Sequence, residues 1–165
     1  MLTRRKLGLG AAAIALASCT KTSNEAQAVE TKLTNQDWAS LSETEWKQIL
    51  TDQEFYILRQ EGTERPFTSP LNDEKRDGTF ACAGCKLPLF KAEYKFDSGT
   101  GWPSFFQAIE GSVETKKDYK LVLPRTEYHC SRCGGHQGHV FKDGPRPTGL
   151  RYCNNGVALD FIADA

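Results

Sequence analysis

At 165 residues the chain has room for one ordinary domain. Hydrophobic residues make up 39%, aromatic residues 10% and charged residues 25%, which excludes a disordered or fibrous chain. Lys+Arg and Asp+Glu both number 21, so no basic excess points to nucleic acid or to an anionic membrane surface.

The chain opens with a positive stretch, Thr3-Arg4-Arg5-Lys6, followed by the apolar run Leu7–Ala17. That run is far shorter than the ~20 residues needed to span a bilayer, and the two together predict an export signal. Leu16-Ala17-Ser18-Cys19 resembles the lipobox of bacterial lipoproteins, which implies cleavage before Cys19 and acylation of that residue. An ordinary secretory signal with Cys19 as a stray thiol is the alternative. Arg4-Arg5 also resembles a twin-arginine signal, a route that exports folded proteins. Residues 1–18 carry three basic and no acidic residues, so the mature chain is mildly acidic. From Thr20 to about Gln36 the composition is too polar to bury a core, and residues 19–36 read as a lipidated cysteine and tether. The expected product is a monomeric domain over residues 37–165, exported to the cell envelope or periplasm and touching membrane only through its lipid.

Two short helices are predicted to open the domain. Ser42 with Glu45 and Thr51 with Glu54 form capping boxes. Trp46, Ile49 and Leu50 follow the first at helical spacing, Phe55 and Leu58 follow the second, and Gly62 is the stop signal. After Pro66, turn residues recur every few positions. Short β-type runs lie between them: Thr79–Cys82, Ser112–Thr115, Tyr119–Leu123, Glu127–Cys130, Val140–Lys142 and Val157–Ile162. The pattern predicts a mainly β fold, a small antiparallel sandwich or tent-like barrel. Neither a Gly-rich phosphate loop nor a GxSxG elbow is present.

Cys82-Ala83-Gly84-Cys85 and Cys130-Ser131-Arg132-Cys133 are two CxxC turns, each pointing two thiols at one place. Together they predict one structural four-cysteine zinc site per chain, closed to catalysis because four protein ligands leave no open position. The long gap between them implies that zinc staples two distant hairpins. Two disulfides are the competing reading in an exported protein, although a CxxC disulfide is strained. Zinc thiolates and export are compatible if the domain folds and loads metal before crossing by the twin-arginine route.

Cys153 is then the one cysteine without a role. It lies between Arg151-Tyr152 and Asn154-Asn155, downstream of His136-Gln137-Gly138-His139. A lone cysteine with histidines elsewhere is a candidate nucleophile, and a buried inert thiol is the alternative.

Ser98–Phe105 (SGTGWPSF), His136–Phe141 (HQGHVF) with Asp143-Gly144-Pro145, Arg151–Asn155 (RYCNN), Glu61–Thr68 (EGTERPFT) and both CxxC pairs occur in an order that resembles the B class of peptide-methionine sulfoxide reductases. The resemblance covers roughly Asp37 to Ile162. It implies reduction of the R epimer of methionine sulfoxide in oxidised peptides and proteins, and hence repair of oxidised envelope proteins. By that resemblance Cys153 is the nucleophile, His139 the acid, His136 its orienting neighbour facing substrate, and Asn155 a donor to a polarised water or the sulfoxide oxygen. Trp102 is the wall for the substrate methyl, and Arg151 is the cation expected to favour the Cys153 thiolate. Three positions depart from the family pattern. Thr100 stands where many members carry a resolving cysteine, which implies regeneration by a thioredoxin-like protein or other external thiol. Gly156 replaces a usual serine, and Gln137 replaces a leucine between the histidines and is expected to change cleft polarity. Competing classes are a lipid-anchored, zinc-stapled binding module without catalysis and a thiol–disulfide oxidoreductase using the CxxC pairs. Nucleic acid is not expected as a partner.

Overall fold

A computed structural model describes residues 37–120 and 123–165; the expected signal, Cys19 lipidation and tether lie outside the described residues. Both predicted helices are present and both capping boxes close. In α1 (Glu43–Ile49) the Glu45 carboxylate accepts the Ser42 N–H at 2.8 Å, and in α2 (Asp52–Gln60) Glu54 accepts the Thr51 N–H at 2.8 Å. Trp46, Phe55, Ile57 and Leu58 are buried by this pair of helices. Two local expectations need correction. Ile49 is 53% exposed: α1 ends there, and the extended backbone of Leu50 turns that side chain inward instead. The residue that ends α2 in the left-handed region is Glu61 (φ 54°), while Gly62 lets the Tyr56 ring lie over the backbone, 2.3 Å from where a Cβ would be, so a side chain there would displace the ring.

Nine strands follow among the described residues: β1 (Gly78–Cys82), β2 (Pro88–Lys91), β3 (Lys95–Phe96), β4 (Ser104–Phe105), β5 (Val113–Asp118), β6 (Arg125–Cys130), β7 (His136–Phe141), β8 (Arg151–Asn154) and β9 (Leu159–Ala163). They form two antiparallel sheets, ordered β2-β1-β9 and β3-β4-β8-β7-β6-β5. Aromatic rings from both sheets interleave to make the core. Phe90 stacks on Phe105 at 4.2 Å, Phe80 meets Phe105 at 5.0 Å, and Tyr128 meets Tyr152 edge-on at 5.2 Å.

The strand expected over Tyr119–Leu123 is absent at its described positions 119, 120 and 123. The preceding strand instead runs on to Asp118, whose carboxylate accepts the Lys120 N–H at 2.8 Å and turns the chain. The run expected from Val157 begins with a single 3₁₀ turn, Gly156–Ala158, before β9.

One irregularity positions the functional face. Along β6 and β7, Tyr128 pairs with Gly138 and His129 with His136, so Gln137 is an extra residue in β7. Side chains alternate faces along a strand, and a bulge resets that alternation. His136 and His139, three residues apart, are thereby brought together with ring centroids 5.6 Å apart.

Candidate active site and metal centre

Cys82 and Cys85 flank the β1–β2 turn, and Cys130 and Cys133 flank the β6–β7 turn. Their four sulfurs lie within 4.8 Å of one another and all four residues are buried. The two turns are built alike. Lys86 (φ 59°) and Gly134 (φ 68°), each following a CxxC step, return an N–H to the carbonyl of the first cysteine at 2.8 Å. The closest sulfurs pair between turns, Cys85 with Cys130 at 3.4 Å and Cys82 with Cys133 at 3.7 Å. A disulfide needs ~2.05 Å, so these are free thiols converging on a common centre and the disulfide alternative fails. Hydrogen bonding within the cluster pulls Cys130 far below the ordinary thiol range and pushes Cys82 above it, chiefly through Cys133 and Cys130 respectively. Four buried thiols packed this closely cannot all ionise without a counter-charge, which a divalent cation would supply. Four soft sulfur donors in a closed cluster fit a tetrahedral metal ion.

The cysteine cluster joins turns of both sheets, whereas the second site lies on the six-stranded sheet alone. Cys153 is in β8, directly across from His139 of β7 on one side and Ser104 of β4 on the other. A small cleft of about 130 Å³ opens over it, lined by Thr63, Trp102, Arg125, His139, Phe141 and Asn155 among others. Cys153 and His139 are therefore brought together as expected, by sheet register.

His139 is held by a residue that sequence reasoning missed. Its Nε2 lies 2.7 Å from Oδ2 of Asp118, at the end of β5, and the same oxygen accepts from Arg125 at 2.6 Å. The Lys120 amide, His139 and Arg125 hold the Asp118 carboxyl well below its usual range. It is thus an ionised acceptor, so Nε2 of His139 carries the hydrogen and Nδ1 is left to accept a proton. Burial pushes the His139 pKa down, with Asp118 acting in the opposite direction. His136 is 3% exposed and its Nδ1 stands 2.9 Å from Glu127 Oε1. Burial would raise Glu127, but His136 and Lys116 outweigh it and keep that carboxyl below its ordinary value.

The other expected site residues take differing positions. Trp102 borders the cleft and donates its indole N–H to the Glu64 carbonyl at 3.2 Å. Asn155 is buried, with one Nδ2 N–H donated to the Gln137 carbonyl at 3.0 Å and Oδ1 accepting the Glu64 N–H at 3.0 Å, which leaves its second N–H uncommitted by these two bonds. It braces the cleft floor. Arg151 makes a two-point bond to Asp143 at 2.9 and 2.8 Å and lies over the Phe141 ring. Its charge is largely committed, and the Cys153 thiol is not depressed. Burial pushes Cys153 up, with Arg151 and the Thr100 hydroxyl only partly offsetting it. Thr100 itself is 2.8 Å from Ser98 Oγ, which is 2.8 Å from Ser104 Oγ, so a hydroxyl row stands beside the thiol.

Two departures acquire structural reasons. Gln137 is fully buried and points away from the cleft, with Nε2 3.4 Å from Cys82 Sγ, so it does not set cleft polarity. At Gly156 a Cβ would sit 1.9 Å from Ser69 Oγ, so the glycine follows from Ser69. Glu64, overlooked within EGTERPFT, links the parts: its carboxylate accepts the Gly156 and Val157 amides, while its own backbone holds Asn155 and Trp102.

Fold and site define a two-sheet β protein with a four-thiol metal-type cluster and a separate thiol facing a carboxylate-held imidazole. The SelR domain model matches residues 50–163. A Methanosarcina barkeri protein, "Peptide methionine sulfoxide reductase MsrB", is 52% identical over 121 residues, covering 73% of this chain and 85% of that one. A Pseudomonas putida protein of the same name is 54% identical over 119 residues, covering 71% and 89%. The Arabidopsis thaliana "Peptide methionine sulfoxide reductase B1, chloroplastic" is 52% identical over 128 residues, 77% of this chain, and the match spans 63% of its length. The chain belongs to the SelR family.

Proposed function

We propose that the chain is a peptide-methionine (R)-S-oxide reductase in which Cys153 attacks the sulfoxide sulfur. The observation that carries this reading is the pairing of Cys153 with His139 across β7 and β8, His139 being fixed by Asp118, in a chain of the SelR family.

The raised Cys153 pKa means that the resting side chain is a neutral thiol. His139, neutral in the same state because burial lowers its pKa, has Nδ1 free to take the thiol proton. The thiolate attacks the electrophilic sulfur, and the imidazolium returns the proton to the sulfoxide oxygen as the S–O bond weakens. Asp118 keeps the ring in the correct tautomer and stabilises its charged form. Oxygen passes to Cys153, so one thiol and one sulfoxide yield one sulfenic acid and one thioether. Trp102 bounds the cleft where the substrate methyl would lie, and sulfur–aromatic contact is worth up to ~1.5 kcal/mol. Asn155 and His136 act as positioning groups, the first on the cleft floor and the second beside His139.

Cys82, Cys85, Cys130 and Cys133 would hold one zinc ion that staples the β1–β2 and β6–β7 turns and takes no part in catalysis. With Thr100 beside Cys153, regeneration uses two external thiols, which become a disulfide as the sulfenic acid yields thiol and water. The arginine-led apolar segment and Leu16-Ala17-Ser18-Cys19 favour export, by the twin-arginine route given Arg4-Arg5. They also favour a lipid anchor at Cys19, with oxidised proteins of the cell envelope as clients and the domain acting as a monomer.

The test is turnover of peptide methionine sulfoxide by the purified protein with a small dithiol, R and S epimers assayed separately. R-only activity, lost in Cys153→Ser, is the expected result. Zinc-loaded protein inert toward both epimers would refute the reading. An intramolecular disulfide to Cys153 would refute the external-thiol step.

A further inference from the structure

Gln137 is the extra residue of the β7 bulge, and its side chain is fully buried. Its Nε2 lies 3.4 Å from Cys82 Sγ. Its Oε1 accepts from Asn154 Nδ2 at 3.5 Å. Its backbone carbonyl accepts the Asn155 N–H at 2.9 Å and Asn155 Nδ2 at 3.0 Å. One residue thus touches the four-sulfur cluster at one end and both residues after Cys153 at the other.

We propose that Gln137 is a hydrogen-bond donor to the metal-ligating sulfur of Cys82, tying the metal centre to the Asn154–Asn155 segment behind the nucleophile. Four thiolates around a divalent ion carry two negative charges in excess, and burial makes that excess costly unless N–H groups point at the sulfurs. Gln137 supplies such a group without adding charge. A leucine in its place would leave the Cys82 lone pairs against hydrocarbon and would leave the buried Asn154 amide without this acceptor. The bulge makes the arrangement possible, because it turns residue 137 toward the cluster while the rings of His136 and His139 meet each other.

The coupling to the nucleophile rests on the reductase reading, whereas the metal half does not, and none of the readouts uses turnover. Zinc-loaded protein is mixed with excess chelator and zinc release is followed. Gln137→Leu should release zinc about tenfold faster or more, the range in which partners of metal ligands act. Gln137→Asn, which keeps the amide but is too short to reach Cys82, should behave in the same way and serves if the leucine variant does not fold. In cobalt-substituted protein, loss of the N–H should move the sulfur-to-metal charge-transfer band to lower energy. Unchanged release together with an unmoved band overturns the proposal. For the coupling, stripping metal from the natural chain should lower hydrogen-exchange protection of the Asn155 amide, and by less in Gln137→Leu. Equal protection with and without metal overturns it.

Discussion

The Asp118 carboxylate lies 2.7 Å from His139 Nε2, linking the last residue of β5 to the imidazole across the sheet from Cys153. Asp118→Asn keeps the shape but removes the charge: with Arg125 and His139 both donating to one oxygen, the amide oxygen stays on that side, and the imidazolium formed when His139 takes the thiol proton loses its counter-ion. The kcat should fall about a hundredfold, the lower part of the range for general acid–base catalysis. The carboxylate also raises the His139 pKa against burial, so its loss should move the ionisation of His139 to lower pH. A pH profile of kcat with the R epimer checks both effects.

Burial raises Cys153, Arg151 and Thr100 lower it, and Asp143 raises it. Alkylation should therefore reach half its maximal rate above the ~8.5 of a free thiol. Asp143→Asn removes a raising charge and should shift that midpoint down. Arg151→Gln removes a lowering one and should shift it up. Iodoacetamide labelling of zinc-loaded protein across pH, read at Cys153 by peptide mass, measures each midpoint. Equal midpoints in both variants and the parent would show that neither charge reaches the sulfur.

What could be read from the sequence was local. Both capping boxes close within three residues, and each CxxC turn carries its own geometry. β8 lacks the apolar alternation that marks a surface strand because its fully buried position 154 holds a polar asparagine, satisfied by the Tyr128 hydroxyl. Asp118, Glu64 and Gln137 acquire roles only through residues 21, 91 and 55 positions away. The His136–His139 spacing suggests a helical turn, and only the bulge in β7 shows how a strand brings the two rings together.

Glu61 ties the end of α2 to the sheet side, with Lys116 at 2.6 Å and Lys120 at 2.5 Å. Lys116 first, then Lys120, brings its pKa from 4.5 to about 2. A carboxyl depressed by folding contributes stability above its unfolded pKa and loses it as pH falls through the folded value. Glu61→Gln should accordingly lower the denaturation midpoint at neutral pH, and the gap to the parent should close between about 4.5 and about 2. Because both lysines are about half exposed, the neutral-pH difference should also shrink in high salt. Urea midpoints at several pH values decide the matter, and a gap constant with pH would assign the effect to packing.

Gly156 and Ser69 form a matched pair, since a Cβ at position 156 would lie 1.9 Å from Ser69 Oγ and 2.5 Å from Ser69 Cβ. Gly156→Ser, which restores the residue usual in the family, should therefore destabilise this chain by about 1–3 kcal/mol, the cost of overpacking. Ser69→Ala cannot relieve it, because the Cβ contact stays. Ser69→Gly can, and the double variant should recover most of the loss, giving a favourable coupling in a double-mutant cycle. The strain also bears on function. The 3₁₀ turn at Gly156–Ala158 follows Asn155 directly and is held by Glu64 through the amides of Gly156 and Val157. Displacing that turn moves the anchor of Trp102 and Asn155, so Gly156→Ser should raise KM for the sulfoxide more than it lowers kcat, and Ser69→Gly should restore KM. Additive stability losses in the double variant, with no recovery of KM, would mean that the two side chains avoid each other by a route other than the glycine.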